Sequence, residues 1–163
     1  MEPLETWTLD GQTFALRRAA RADVAPVVEL LAADRLGATR EGGPRADLTP
    51  YHRAFDAIAA DPAQLLLVVT AEVDTVVGTM QLTFIPGMAR RGALRAQVEA
   101  VRVAADHRAR GLGGAMIEWS IAEARRRDCA LVQLTTDKTR TDAHRFYERL
   151  GFVASHEGLK LHL

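Results

Sequence analysis

The sequence predicts a mixed α/β fold, one open and mostly antiparallel sheet with helices on its faces. Three observations carry this. Strand-like segments run together early and alternate with helical ones late, the order that gives a mixed sheet. An apolar alternating segment ending at Val103 passes through a short polar loop into Gly111, Leu112, Gly113 and Gly114, where helical spacing begins. The chain has 163 residues, 48% hydrophobic and 26% charged, which suits a single domain over 1–163 with a full core.

Residues 12–18, with Phe14 and Leu16 alternating, read as the first strand. Asp23 is placed to cap a helix whose inner face is Val24, Val27, Val28 and Leu31. Pro26 falls in its first turn, where a missing N–H costs little, and Gly37 ends it. Residues 38–48 are polar and glycine-rich, hence a loop. Thr49 and Pro50 start a second helix with Phe55, Ile58 and Ala59 inside, and Asp61-Pro62 stops it. Residues 65–69 are a continuous apolar run, as in a strand covered on both faces, and a turn near Asp74 returns it as 76–85. A loop bearing Arg90, Arg91 and Arg95 leads to a strand at 97–103. The helix from Leu112 carries Ala115, Met116, Trp119 and Ala122 on its apolar face and ends at residues 125–127, three arginines suited to a helix C-terminus. Residues 130–135 are a strand. Thr139 or Thr141 then caps a helix with Ala143, Phe146, Tyr147 and Leu150 on one face, and Gly151 stops it. Two short strands, around 152–154 and 159–163, complete the order.

Lys+Arg and Asp+Glu balance at 21 each, so any anion binding must be local rather than a general pull toward nucleic acid or membrane. No apolar run reaches the length of a membrane span. The opening Met-Glu-Pro-Leu-Glu-Thr-Trp lacks the basic head and apolar block of a signal peptide. The single cysteine, Cys129, excludes an internal disulfide and reads as a small buried residue at a strand start. These features predict a cytoplasmic protein with no nucleic-acid or membrane partner.

The glycine loop is where function is legible. The first turn of a helix carries N–H groups with no intrahelical partner, at the electropositive end of the macrodipole. Glycines let an anion approach those groups, and Arg108 and Arg110 add formal charge, so a phosphate fits there. The alternative is a tight strand-to-helix turn with solvated arginines. A P-loop would need Lys-Ser/Thr where Ala115-Met116 stands. A dinucleotide fingerprint would need Gly or Ala at Met116 and a shorter connection than Val103 to Gly111.

Arg108-Ala-Arg-Gly111-Leu-Gly113 resembles the Arg/Gln-x-x-Gly-x-Gly/Ala signature of the GCN5-related N-acetyltransferase superfamily. A second stretch, Asp142-Ala-His-Arg-Phe-Tyr147-Glu-Arg-Leu-Gly-Phe152, resembles that superfamily's other signature. The resemblance covers residues 98–152; the first hundred residues share only the layout. It implies a sheet splayed between its fourth and fifth strands to admit the pantetheine arm of acetyl-coenzyme A, with about four flanking helices. It assigns the pyrophosphate to Arg108, Ala109, Arg110, Gly111, Leu112, Gly113, Gly114 and Ala115, and main-chain contacts to Val101, Arg102 and Val103. It also places the Tyr147 hydroxyl near the coenzyme A sulfur. The implied activity is acetyl transfer to a primary amine, that of a small molecule, by direct attack in a ternary complex. Fainter similarity to members acting on aminoalkylphosphonates would give the arginine loop an anionic group to hold. One departure is Arg140-Thr141-Asp142, where many members carry asparagine.

Amide formation from a thioester needs a neutral amine, a stabilised oxyanion and a stabilised leaving thiolate. Tyr147 serves the last need, or is a core tyrosine on an apolar stripe. At reference values of about 10 for tyrosine and 8.5 for a thiol, full proton transfer is uphill by roughly 2 kcal/mol, so a hydrogen bond that tightens on the thiolate is as good a reading. Glu99 is the candidate base, sharing a face with Val101 and Val103 if the strand is regular, and turned outward if it bulges. His144 points off the Tyr147 stripe and reads as solvated; His107, in the loop, could graze a phosphate. His52, His156 and His162 lack ligand spacing, which predicts no metal. Arg90, Arg91 and Arg95 meet an anionic substrate, a second subunit of a homodimer, or solvent. Rival functions are a non-catalytic acyl-coenzyme A sensor, a protein N-terminal or lysine acetyltransferase with a groove at 38–48, and a nucleotide-binding module.

Overall fold

A computed structural model describes residues 2–33, 37 and 47–161. Six strands form one sheet in chain order: β1 Glu5–Leu9, β2 Gln12–Arg18, β3 Gln64–Thr70, β4 Val76–Pro86, β5 Leu94–Val103 and β6 Leu131–Leu134. All neighbours are antiparallel except β5 and β6, which are parallel and joined by the helical crossover that such a pair requires. The main helices are α1 Val24–Ala32, α2 Thr49–Ala60, α3 Leu112–Arg126 and α4 Thr141–Arg149.

β1 is an addition to the expected strands. Asp10 and Gly11, both at positive φ (49° and 77°), make a two-residue turn that pairs Leu9 with Gln12 and Trp7 with Phe14. The expected fourth and fifth strands are therefore β5 and β6.

One face of the sheet holds the main core. Leu112, Met116 and Ile117 of α3 pack against Phe14, Leu16, Leu67, Met80, Leu82 and Val98. Burial of each such side chain contributes roughly 1.5–3 kcal/mol. The buried stripe of α3 includes Glu123, while Ala122 faces outward. Arg126 and Arg127 both bond the Glu123 carboxylate, and Arg127 lies 4.0 Å from the Phe84 ring centre, so the buried charge is compensated.

The other face is covered in part by α1, whose buried Val24, Val27, Val28 and Leu30 lie outside that cluster. Asp23 does not cap α1 with its side chain. Its carboxylate instead accepts bonds from Arg17 Nη1 (2.6 Å) and Nη2 (3.0 Å) and from the Ala20 N–H (2.6 Å). Burial pushes the Asp23 pKa up, but the Arg17 and Ala20 bonds outweigh it and hold the carboxyl below its ordinary value. α1 ends at Ala32, ahead of the expected stop at Gly37, and the expected loop 38–48 lies almost wholly outside the described residues. α2 has Pro50 in its first turn, and its Ala59 is exposed rather than inward.

The expected C-terminal strands are not formed: residues 152–161 have no regular structure. A strand needs a ladder on one side and burial on one face, and this stretch has neither. Val153, Leu159 and Leu161 are 82, 94 and 87% exposed, and beyond Phe152, which packs on the core, the segment meets the body at the Lys138–Glu157 pair (3.1 Å) and where Gly158 approaches Thr135.

Candidate active site

β5 builds the site by outrunning its neighbour. β6 pairs with it only from Arg95↔Leu131 to Val98↔Leu134, after which β5 continues from Glu99 to Val103 with that edge released. This is the expected splay. An open cleft of about 1780 Å³ follows the released edge and is lined by Glu99, Arg102, Tyr147 and the inner face of β6.

A bulge then decides which way the β5 side chains point. Gln81 pairs with Glu99, but Thr79 pairs with Arg102, so β5 carries one extra residue opposite Met80, and Ala100 takes φ 54° to make room. Val101 and Val103 turn to the core, whereas Glu99 shares the opposite face with Arg102. The regular-strand expectation, Glu99 in one row with Val101 and Val103, is thereby corrected. Glu99 is exposed in the cleft instead of being a carboxylate in an apolar row.

The phosphate-binding candidate follows. Arg102 Nη1 donates to the Val101 carbonyl and Arg108 Nε to the Val103 carbonyl, each at 2.9 Å, so two arginines lie folded along the end of β5. Ala109 (φ 61°) and Gly111 (φ 82°) bracket Arg110 and turn the chain into α3. The first helical bond runs from the Ala115 N–H to the Gly111 carbonyl at 3.0 Å. No side chain caps this terminus and no acid stands in its first turn, so the N–H groups of Leu112, Gly113 and Gly114 are left for a ligand. A Cβ at Gly114 would meet nothing within 4 Å, while one at Gly113 would lie 3.6 Å from Phe146 and 3.9 Å from Val103. His107 is turned inward, edge-on to Phe14 at 5.8 Å and bonded to Asp106, so it serves the loop's fold rather than a phosphate.

Phe146 is where the two sequence signatures meet, and its neighbour Tyr147 lines the cleft. The C-terminus of α4 explains why Gly-Phe belongs to the second signature. Gly151 (φ 89°) donates to the Glu148 carbonyl and Phe152 to the Tyr147 carbonyl, a Schellman motif. That motif folds Phe152 back onto Tyr147, ring centres 5.7 Å apart, with Phe146 on another side at 5.0 Å. Tyr147 is thus clamped by two aromatic edges. Burial raises its pKa above the ordinary tyrosine value, and the charges of Arg140 and Arg102 pull part of the way back. It is a hydroxyl, not a phenolate, across the neutral range. His144 is half-buried, with Nε2 3.1 Å from the Asp137 carbonyl, so it is not the solvated residue expected. Cys129 is half-buried in the cleft wall, its thiol pushed up by burial.

The sheet face turned toward the cleft holds residues that the sequence did not mark, of which Gln81, Gln97 and Gln133 line the cleft itself. Strand register puts Gln64, Thr83, Gln97 and Gln133 in one row across β3–β6, with Gln81 and Glu99 in the next. Gln81 Nε2 donates to Gln64 Oε1 (2.8 Å) and Gln133 Nε2 to Gln97 Oε1 (2.6 Å). Each glutamine looks like an ordinary outward position on its own strand. Only the pairing collects them. Among the described residues no group of His, Cys, Asp and Glu is arranged to hold a metal ion, and no helix is long and apolar enough to cross a membrane.

Comparison with known proteins agrees with this geometry. A transcriptional regulator from Bacillus halodurans C-125 has the same fold with a TM-score of 0.86 and 42% identity, over 92% of this chain and 99% of that one. A putative acetyltransferase from Agrobacterium tumefaciens str. C58 follows with a TM-score of 0.78 and 26% identity, over 91% and 99%. Over 49 residues the chain is 41% identical to an aminoalkylphosphonate N-acetyltransferase of Salmonella typhimurium (strain LT2), a match spanning 30% of this chain and only 32% of that enzyme. The family model described as Acetyltransferase (GNAT) family matches residues 28–152, which takes in the splay, the glycine loop and the Tyr147 helix. The chain belongs to that acetyltransferase family.

Proposed function

We propose that this acyltransferase moves the acetyl group of acetyl-coenzyme A to the primary amine of a small molecule, by direct attack within a ternary complex. The observation that carries the reading is the uncapped, acid-free first turn of α3 lying at the mouth of the wedge between β5 and β6. The free N–H groups there, with Arg108 and Arg110, suit a pyrophosphate. The wedge beside Val101 and Val103 suits an extended thioester arm. The amine nitrogen adds to the thioester carbon, and the tetrahedral oxyanion collapses as the C–S bond breaks, the sulfur leaving with the electron pair.

Tyr147 donates a hydrogen bond to that sulfur. Because burial raises its pKa, the bond strengthens on the thiolate without full proton transfer, which was already uphill at reference values. Glu99, exposed in the same cleft, takes a proton from the bound ammonium, directly or through water, so that the neutral amine makes the attack. The Salmonella relative's named substrates support a small amine as acceptor. The regulator name of the Bacillus halodurans protein supports a rival, a coenzyme A sensor without turnover.

Thiol release from acetyl-coenzyme A against a panel of amines separates the two. Amine-dependent release that falls about tenfold or more in Tyr147→Phe, roughly 1.4 kcal/mol of transition-state stabilisation, supports the transferase. Its pH profile should show no loss attributable to tyrosine ionisation below the ordinary tyrosine range. Binding of coenzyme A with no amine-stimulated release would favour the sensor.

A further inference from the structure

Among the described residues, Arg95 has no carboxylate partner. It projects from β5 on the cleft face, two residues before Gln97 and four before Glu99. Its Nε is buried and has no hydrogen-bond partner, and one guanidinium nitrogen lies 3.8 Å from where a Cβ on Gly87 would stand. Glycine there leaves the guanidinium room to lie against the backbone. The buried Nε–H has lost its water and, among the described residues, gains no acceptor in return. Arg90 lines the same cleft from a turn in which Arg90, Arg91 and Gly92 all take left-handed backbone (φ 54°, 62° and 78°). Left-handed backbone is unfavourable for arginine relative to ordinary helical or extended backbone. Strain of this kind persists where a site requires it.

The opposite end of the row has the complementary character. Glu99 faces Gln81, whose amide nitrogen is committed to Gln64, so its oxygen remains as an acceptor. A carboxylate and an amide oxygen together suit an ammonium. Four residues of strand separate the Arg95 and Glu99 Cα atoms by about 13 Å, and both side chains can lean into that gap.

We propose that Arg95, in the cleft that Arg90 also lines, is an anion subsite, and that the acceptor is a short zwitterion. Its amine lies at Glu99 and Gln81, and its carboxylate, phosphonate or phosphate lies on Arg95 a few carbons away. Gln97 and Gln133 form the floor between the two ends. The assignment of the amine end rests on the transferase reading above; the anion end stands on Arg95 alone.

Titration calorimetry with 3-aminopropylphosphonate and propylamine, on the coenzyme A-saturated protein, tests the subsite without turnover. Wild type should bind the phosphonate at least tenfold more tightly than propylamine. Arg95→Gln should erase that difference with an unchanged melting temperature, and Arg95→Lys should restore part of it as a point charge. Equal binding of the two amines by wild type, or an undiminished preference in Arg95→Gln, would overturn the proposal. A preference that vanishes in Arg95→Gln while no amine stimulates thiol release would leave the subsite standing and remove the transferase reading instead.

Discussion

On the function proposed above, the two faces of β5 recognise by different means. Toward the core, Val101 and Val103 lead into a glycine loop and a bare helix end, so the cofactor side is built from main-chain N–H groups and backbone turns. Toward the cleft, Arg95, Gln97, Glu99 and Arg102 present side chains only, completed by Gln81 and Gln133 from strands on either side. Backbone recognition constrains which residues can occupy a few consecutive positions, because glycine must stand where the chain turns or a ligand approaches. Side-chain recognition spreads over three strands and leaves each free to vary. One face can therefore keep a common co-substrate while the other changes acceptor.

The comparison breaks most severely where the acceptor face is anchored. α1 packs on β4 and β5, and its start is tied down by the buried Arg17–Asp23 pair. Asp23→Ala leaves Arg17 buried with the exposed Asp74 carboxylate at 3.3 Å and the Arg18 carbonyl at 3.2 Å as its remaining partners. The expected loss is about 3 kcal/mol, a fall in melting temperature on the order of 10 °C. The sign with pH follows from the lowered carboxyl. The folded pKa lies below the unfolded value of about 3.9, so the pair's contribution is complete above that pH and fades as pH falls through the folded value. Melting curves of wild type and variant should converge as the pH drops below 4. A constant gap down to acid would show that the ion pair contributes nothing through its charge.

Gly114→Glu sharpens the contrast by separating fold from function on the cofactor side. A side chain there meets open space, and a carboxylate in the first turn of α3 favours the helix. Stability should hold or rise by up to about 1 kcal/mol. The same carboxylate stands where the free N–H groups await an anion, so KM for acetyl-coenzyme A should rise by about tenfold or more, some 1.4 kcal/mol. A stable variant with unchanged KM would place the pyrophosphate elsewhere.

How much of this was legible in the chain follows the same division. The helix start at Leu112, the stop at Gly151 and the splay between the expected fourth and fifth strands were readable, because glycine position and apolar spacing report backbone geometry directly. The β1–β2 hairpin was legible in Asp10-Gly11 between alternating segments, yet Glu5, Thr6 and Thr8 gave β1 too little apolar pattern to stand out. The orientation of Glu99 was not legible. It depends on the bulge at Ala100, and nothing in Glu99-Ala-Val-Arg-Val103 announces which residue is extra. The row Gln64, Thr83, Gln97 and Gln133 exists only once register is known. The C-terminal strands failed for the opposite reason: alternating Leu159 and Leu161 carry the pattern, but no neighbour pairs with them among the described residues.

The smallest effect is the most discriminating, since it places one backbone lesion on each side of the molecule. Gly151 (φ 89°) closes the Schellman turn that seats Phe152 on Tyr147, and Gly92 (φ 78°) closes the left-handed turn carrying Arg90. A Cβ at either position meets nothing within 4 Å, so alanine adds left-handed strain of about 1 kcal/mol and no clash. The two variants should lose similar stability and differ in kinetics. In Gly151→Ala the loosened clamp lets Tyr147 drift from the sulfur, and kcat falls severalfold with the acceptor KM unchanged. In Gly92→Ala the arginine turn shifts, and the acceptor KM rises severalfold with kcat unchanged. If both lesions moved the same constant, the cofactor and acceptor faces would not be separate devices, and the division drawn along β5 would fail.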